Sequence, residues 1–472
     1  MIATKTMAIA LVLTVLKTQI VLKTLLLQEA LVKNFIIITM HSCMVMIQSD
    51  YTFIGDFMNI YISKHLSEIY FFNNTVTLPF ETSIEKHNIG LSYLLYCIGN
   101  GVNDVNTLAI SLIDKFCLKD DLPSVVETIL FNTVKNEELK KAFTTDIHEA
   151  NLCPKINGIY GKKYPQILHV ELTGTCNYMC SHCYKNASNN GKNLDFNFLN
   201  QKIYKEFKGF IPFIHFTGGE PTLHEDFGKI VDLFKEGYTL QLTTNGSQIT
   251  SYPIDVFKNF QAIDISLYGL SQAEYKVNTG NANAFNWVTK GCNFLASANI
   301  DFRVTLVINN DNCHHIEDYV KYGINVGANS IAFALPTYSG KLLNDKTDKW
   351  YLTKEKRKII YRQIRDVQKR YNHRIAIRDW SRTIYSDMWK SYPADDSLRC
   401  GGGKRDWWMS EHCLFRPCSF LPNEYLNLEY DTWYKYINNE QNIDWTQART
   451  SLELFAAEHN FNIIDICPIF KK

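Results

Sequence analysis

The sequence predicts an α/β fold built on a parallel sheet, arranged as an open, partial (β/α)6 barrel. Three observations carry this. Six short runs rich in β-branched and aromatic residues recur through the middle of the chain, and each has the length and composition of a strand. Amphipathic stretches with helical spacing lie between them, and strand–helix–strand alternation is the mark of βαβ units. The polar motifs of this region fall just after the runs, where parallel α/β folds place their ligands.

The runs in order are Ile167–Leu172 (ILHVEL), Pro212–Phe216 (PFIHF), Thr239–Thr243 (TLQLT), Ala262–Leu267 (AIDISL), Phe302–Ile308 (FRVTLVI) and Ser330–Leu335 (SIAFAL). Helical patterns over Phe196–Phe207 and His224–Glu236 follow the first two. Ala284–Ala298 and His314–Val326 follow the fourth and fifth. Gly174–Cys183 then closes strand one, Thr217–Pro221 strand two, Thr244–Gly246 strand three, Ser266–Gly269 strand four and Asn309–Asn310 strand five. Pro336 to Gly340 closes the sixth unit.

The chain has 472 residues, enough for two or three domains. Its 46% apolar and 21% charged residues are ordinary for a globular protein. With 49 Lys and Arg against 48 Asp and Glu, nothing in the total favours nucleic acid. The odd count of 13 cysteines, several of them clustered, argues against a secreted disulfide framework and for metal or cofactor ligation in a reducing compartment, the cytoplasm. Met7 to Leu16 (MAIALVLTVL) is an apolar run after Lys5, but Lys17 and Lys23 interrupt it short of the roughly 20 residues a spanning helix needs. No membrane partner is expected, and residues 1–45 are read as an N-terminal extension, either a helix packed elsewhere or the product of an upstream start, with a signal or anchor segment as the competing reading.

The loop after strand one reads Glu171-Leu-Thr-Gly-Thr-Cys176-Asn-Tyr-Met-Cys180-Ser-His-Cys183-Tyr184. Three thiolates so spaced can wrap one face of a small cluster, and thiolates suit iron–sulfur clusters and zinc. Three ligands on a four-iron cluster leave one iron open for a substrate. A buried helical stripe of free cysteines and a zinc site completed by His182 are the competing readings; Gly174 and Asn177 make a poor helix there. The second motif, Thr217-Gly218-Gly219-Glu220-Pro221, joins two glycines that admit close backbone approach to a carboxylate able to accept from an ammonium group.

Together these residues resemble the radical S-adenosylmethionine (SAM) superfamily over roughly residues 160–340. The resemblance implies a radical SAM barrel in which Cys176, Cys180 and Cys183 hold a 4Fe–4S cluster whose fourth iron is chelated by SAM. It implies that His182, at a position usually aromatic, packs near the adenine. It also implies that Gly218, Gly219, Glu220 and Pro221 hold the methionine moiety. Thr244-Asn245-Gly246 and Ser266-Leu-Tyr-Gly269 match strand ends that contact the ribose and carboxylate, with Asn245 and Ser266 as the candidates; turn chemistry is the alternative at both. A reduced cluster then cleaves SAM to a 5′-deoxyadenosyl radical, which abstracts a substrate hydrogen. A flavodoxin or ferredoxin is the expected reductant.

After the barrel come Cys400, Cys413, Cys418 and Cys467. The run from Cys400 through three glycines to Pro417-Cys418 resembles the SPASM/twitch extension, with Cys413 standing where that pattern has glycine. One auxiliary cluster held by these four is expected, with buried thiols or zinc as alternatives. Such extensions accompany peptide-modifying members. Ahead of the barrel, Gly90–Gly101, Leu108–Phe116 and Leu122–Val134 have helical spacing, with short strands near Asn74–Phe80. This resembles the winged-helix element that binds leader peptides by strand addition; a generic helical packing domain is the alternative.

The expected organisation is an extension (1–45), a winged-helix-like α+β peptide-recognition domain (46–150), the barrel (160–345) and a SPASM/twitch-like domain (346–472). The expected function is an oxidoreductase that modifies a ribosomally synthesised precursor peptide. The rivals are a radical SAM enzyme acting on a small molecule or a folded protein, as sulfatase maturases do, and a non-catalytic zinc-binding module. The bond made or broken is not written in the sequence.

Overall fold

A computed structural model of the chain describes residues 58–379 and 402–443, apart from 65, 67, 73–74, 78–88, 132, 134–141, 153, 337–338, 345–346, 404–405 and 420–426. The apolar segment Met7–Leu16, Cys153, Cys400 and Cys467 lie outside the described residues. Among the described residues no helix is long and apolar enough to cross a membrane.

The N-terminal part is α+β and has its own apolar core. Strands β1 (Tyr61–Ile62), β2 (Glu68–Phe72) and β3 (Thr75–Thr77) precede helices Ile89–Gly99, Val105–Phe116 and Leu122–Leu130, and β4 (Phe143–Thr144) and β5 (Lys155–Asn157) follow. β1 pairs with β4, and β2 lies between β3 and β5. Ile69, Phe71, Leu91, Leu95, Leu108 and Ile129 bury this core. The second helix starts where Asp104 accepts a hydrogen bond from the Thr107 amide, satisfying one of the donors a helix start leaves open. The helices fall where the apolar spacing put them.

The central sheet follows: β6 (Ile167–Glu171), β7 (Phe213–Thr217), β8 (Thr239–Thr244), β9 (Phe260–Leu267), β10 (Arg303–Val307) and β11 (Ser330–Ala334). These are the six expected strands, each matching its run with small shifts at the ends, and successive strands are parallel neighbours. Two further parallel strands extend this sheet. β12 (Ala376–Asp379) adds beyond β11, and β13 (Asp406–Met409) pairs with β6 at the opposite edge. A short antiparallel strand, β14 (Phe415–Arg416), closes that side. The sheet is therefore wider than the six strands expected. β13 escaped the sequence reading because DWWM is a four-residue run with no periodicity to exploit.

Along the strands one face is apolar and fully buried: Leu168 and Val170, Ile214 and Phe216, Leu240 and Leu242, Val304 and Leu306. This face meets the helices, as the approach of Gly323 in helix Ile316–Asn325 to Val304 and Ile331 shows. The other face carries His169, His215, Thr243, Asp264, Arg303 and Thr305. A parallel sheet covered by helices on one face and polar on the other leaves its inner face for a ligand.

Candidate active site

The expected motifs converge at the carboxyl ends of β6 to β9. Backbone pairing welds the first two loops together. The amide of Leu172 donates to the Thr217 carbonyl (2.8 Å), that of Gly219 to Thr173 (2.7 Å) and that of Glu220 to Thr175 (2.8 Å). This close approach explains both glycines. Gly218 has φ +136°, and a Cβ there would stand 2.6 Å from the Thr173 carbonyl oxygen. At Gly219 it would stand 2.2 Å from that of Thr175. Pro221 opens the 3-10 turn Pro221–Leu223.

Glu220 is fully buried, and its carboxylate is spent within the protein. Oε1 accepts from the Thr222 amide (3.1 Å), the Thr222 hydroxyl (2.5 Å) and the Thr244 hydroxyl (2.6 Å), and Oε2 from the Asn245 amide (2.6 Å). Burial pushes its carboxyl up, and these donors pull against that. Glu220 thus ties the loop after β7 to the end of β8. The sequence offered its carboxylate to an ammonium group; in this structure protein donors occupy it.

Each sulfur of the cysteine loop has a polar neighbour. The Tyr178 amide donates to Cys176 Sγ (3.4 Å), Asn245 Nδ2 points at the same sulfur (3.8 Å), and the Ala187 amide donates to Cys183 Sγ (3.4 Å). The Tyr268 hydroxyl interacts with Cys180 and Ser266. Asn177 bridges Asn245 and Ser247 (2.9 Å each). Asn245 and Ser266 are therefore joined to the cysteine loop through Asn177 and Tyr268, two residues whose role the sequence did not reveal.

Burial first, then the Glu220 carboxylate, push the Cys176 thiol up to about 12. Burial and the other two cysteines push Cys180 up as well. Among the described residues no three His, Cys, Asp or Glu side chains stand in metal-holding geometry, these cysteines included. The donor set nonetheless fits a thiophilic metal. Three sulfurs on one loop lie within electrostatic reach of each other, and the nearest carboxylate is already saturated. A bound cation would reverse the penalty that burial places on their thiolates.

His182 packs against Trp350 (ring centroids 4.3 Å apart) and Tyr268 (5.7 Å). Its Nδ1 is buried without a hydrogen-bond partner. Burial, then Lys349, lower its basicity to about 4, so the ring is neutral near pH 7. A neutral aromatic ring with one unmet polar atom fits the flank of a heterocycle. His224, which also flanks the region, is satisfied structurally: Nε2 faces the Leu194 carbonyl (2.9 Å), and Nδ1 accepts from the Asp226 amide (3.0 Å).

Behind the loop lies a buried ionic cluster that the sequence did not announce. Glu171, at the end of β6, is fully buried. It accepts from Lys185 Nζ (2.7 Å) and Arg416 Nη2 (2.5 Å), with the Tyr184 hydroxyl at 3.3 Å. Lys185 also bonds Glu411. Burial alone would raise the Glu171 carboxyl, but Lys185 and Arg416 outweigh it and hold it below the usual carboxylate range. The cluster fastens residues 411–416 to the cysteine loop. Cys413 lies in that segment at φ +60°, the left-handed conformation glycine favours. It stands beside Lys192 and Asp195, and Cys418 is partly buried farther along.

Residues 170–323 match the model of the Radical SAM superfamily. An uncharacterized protein of Methanocaldococcus jannaschii is 32% identical over 182 residues, 36% of this chain and 62% of that protein. The AdoMet-dependent heme synthase of Nitratidesulfovibrio vulgaris is 27% identical over 183 residues, 37% of this chain and 50% of that enzyme. The chain thus spans less than two thirds of the length of either curated relative. Among solved structures, Streptococcus suis SuiB bound to precursor peptide SuiA superposes with TM-score 0.55 at 13% identity, covering 81% of this chain and 91% of that one. At that identity the likeness speaks for the fold.

The family match and the central parallel sheet coincide in the chain. The matched residues hold the cysteine loop, the Gly218–Pro221 turn and the strand ends of β6 to β10.

Proposed function

We propose that this chain cleaves SAM reductively and modifies a ribosomally synthesised peptide. The observation that carries the SAM reading is the welding of the cysteine loop to the Gly218–Pro221 turn and to the ends of β8 and β9. Three sulfurs, a glycine cradle and a neutral ring meet there. Cys176, Cys180 and Cys183 would hold the cluster. Gly218, Gly219, Glu220 and Pro221 shape the floor for the methionine end of SAM, Asn245 and Ser266 the side walls, and His182 the adenine flank. When bound, cluster and SAM supply one electron and a 5′-deoxyadenosyl radical that takes a hydrogen atom from the substrate. The chain's own part is to hold, orient and keep water away. Glu220 fixes the relation of the two loops, and the sulfur-directed donors set the surroundings of the ligands.

The peptide reading is supported by the reach of the SuiB-like fold, 81% of the chain, well beyond the central domain. It is also supported by an N-terminal part with its own core, where β3 lies at a sheet edge. Under this reading residues 46–150 recognise a leader peptide, and Cys413 and Cys418, with Cys400 and Cys467, hold an auxiliary cluster. The heme synthase relative favours a second reading, a small-molecule substrate.

The test is anaerobic reconstitution, with iron counted and 5′-deoxyadenosine assayed after SAM and dithionite are added. About eight irons per chain, falling to about four without 5′-deoxyadenosine in a Cys176/Cys180/Cys183→Ala variant, is the expected result. About four irons with SAM cleavage would remove the auxiliary cluster. Zinc without cleavage would overturn the proposal. Co-purification with a short peptide would separate the peptide from the small-molecule reading.

A further inference from the structure

Below the SAM end, a line of polar side chains crosses the inner face of the sheet. Thr243 Oγ1 on β8 lies 2.8 Å from His215 Nε2 on β7. His215 Nδ1 lies 2.8 Å from His169 Nδ1 on β6. His169 Nε2 stands 3.8 Å from Asp406 Oδ1 on β13, an ion-pair rather than a hydrogen-bond separation. Trp408, two residues along β13, stacks on the His169 ring with centroids 4.1 Å apart and planes 3° from parallel. Two imidazoles facing each other through like nitrogens need a reason, and the proton count gives one.

The negative charge of Asp406, 3.8 Å away, favours the His169 tautomer that carries its hydrogen on the nitrogen facing it. In neutral His169 the other nitrogen, Nδ1, is then bare and accepts. The short contact therefore requires His215 Nδ1 to donate, which leaves His215 Nε2 bare to accept from the Thr243 hydroxyl. With that tautomer the order runs one way: hydroxyl, imidazole, imidazole, towards the carboxylate. The surroundings keep the charge away from His215. Burial, then His169 and Arg303, lower its basicity. On the neighbouring strands, Asp264 is spent on Arg303 Nη2 (2.7 Å) and the Thr305 hydroxyl (2.5 Å). The positive charge that the line can store belongs at its far end, beside Asp406.

We propose that Thr243, His215, His169 and Asp406 form a proton relay that accepts one proton from a substrate hydroxyl, thiol or amide bonded to Thr243 and stores it on His169. The balance is one proton and no electrons. The substrate proton passes to Thr243 Oγ1, the Thr243 proton to His215 Nε2, and the His215 Nδ1 proton to His169 Nδ1. His169 becomes an imidazolium facing Asp406, and His215 ends as the other neutral tautomer. Thr243 is the residue that meets substrate, while His215, His169 and Asp406 act through it. The location of that substrate rests on the SAM reading above: Thr243 in β8 immediately precedes Thr244, whose hydroxyl holds Glu220 in the loop of the proposed SAM site.

The relay is tested without substrate by NMR of the full chain labelled with 15N-histidine. At neutral pH the expected result is His215 as the Nδ1–H tautomer, with a coupling across the hydrogen bond to His169 Nδ1 that His169→Gln abolishes. In Thr243→Val the coupling stays, and His215 Nε2 moves towards the shift of an unbonded acceptor. On acidification His169 becomes doubly protonated while His215 switches to the Nε2–H tautomer, and in Asp406→Asn that switch is displaced to lower pH. A neutral His215 already in the Nε2–H form, an absent coupling, or a proton that settles on His215 would each overturn the relay. None of these outcomes depends on whether the chain cleaves SAM.

Discussion

At the scale of single residues, the candidate site is held by atoms the sequence motifs only partly named. Gly219→Ala drives a Cβ into the Thr175 carbonyl at 2.2 Å, while a Cβ added at Gly209, at φ +86°, would meet nothing within 4 Å. Gly209→Ala is expected to cost about 1–2 kcal/mol, the penalty of a left-handed alanine. Gly219→Ala is expected to exceed that and to abolish 5′-deoxyadenosine formation; thermal melts and product assay check both. The ionic cluster gives a pH signature. Because the folded Glu171 carboxyl lies below its ordinary 4.5, its contribution is fully present above that value and is lost as pH falls through the lower folded one. Urea melts across this range should show a pH-dependent loss in the natural chain that Glu171→Gln lacks. Lys185→Met, which removes one of the two cations on buried Glu171 and the lysine on Glu411, should cost about 3 kcal/mol at neutral pH. The cysteines and the Gly218–Pro221 turn were legible because their chemistry is written in adjacent positions. Lys185, Glu411 and Arg416 were not, since their partnership exists only after more than two hundred residues of chain have folded back.

At the scale of elements, strands and helices of the central sheet were legible because the apolar runs are long and regularly separated. β12 and β13 were not. Each is four residues, and neither run tells which neighbour it will join. Their place is decided by the unpaired edges that β11 and β6 offer, a tertiary matter on which local pattern is silent. Helix starts are a further case of local legibility. Asp104 accepts from both the amide (2.8 Å) and the hydroxyl (2.7 Å) of Thr107. Asp104→Ala should cost about 1 kcal/mol. Hydrogen exchange should report that loss in Val105–Phe116 and the helices around it, leaving β6 to β11 protected as before. Loosening of the central sheet instead would mean that the two apolar cores unfold as one.

At the scale of the whole molecule, β6 is flanked by β7 on one side and by β13 on the other, a partner 235 residues further along the chain from Glu171 to Asp406. Contacts so distant in sequence form late, because the loop between them must be closed first. A chain cut after residue 379 would keep the cysteine loop and the six central strands. It would also present β6 with a bare row of amides and carbonyls, and leave Glu171 without Arg416. Such a fragment is expected to self-associate, read as concentration-dependent sedimentation that the full chain does not show. The same geometry sets a timetable for the ribosome. At about 5–20 residues per second, the first strand of the sheet waits many seconds, edge open, for the segment that covers it. The cell must shield a nascent polypeptide through that interval, so yield during expression should respond to translation speed and chaperone supply more than the stability of the finished molecule would suggest.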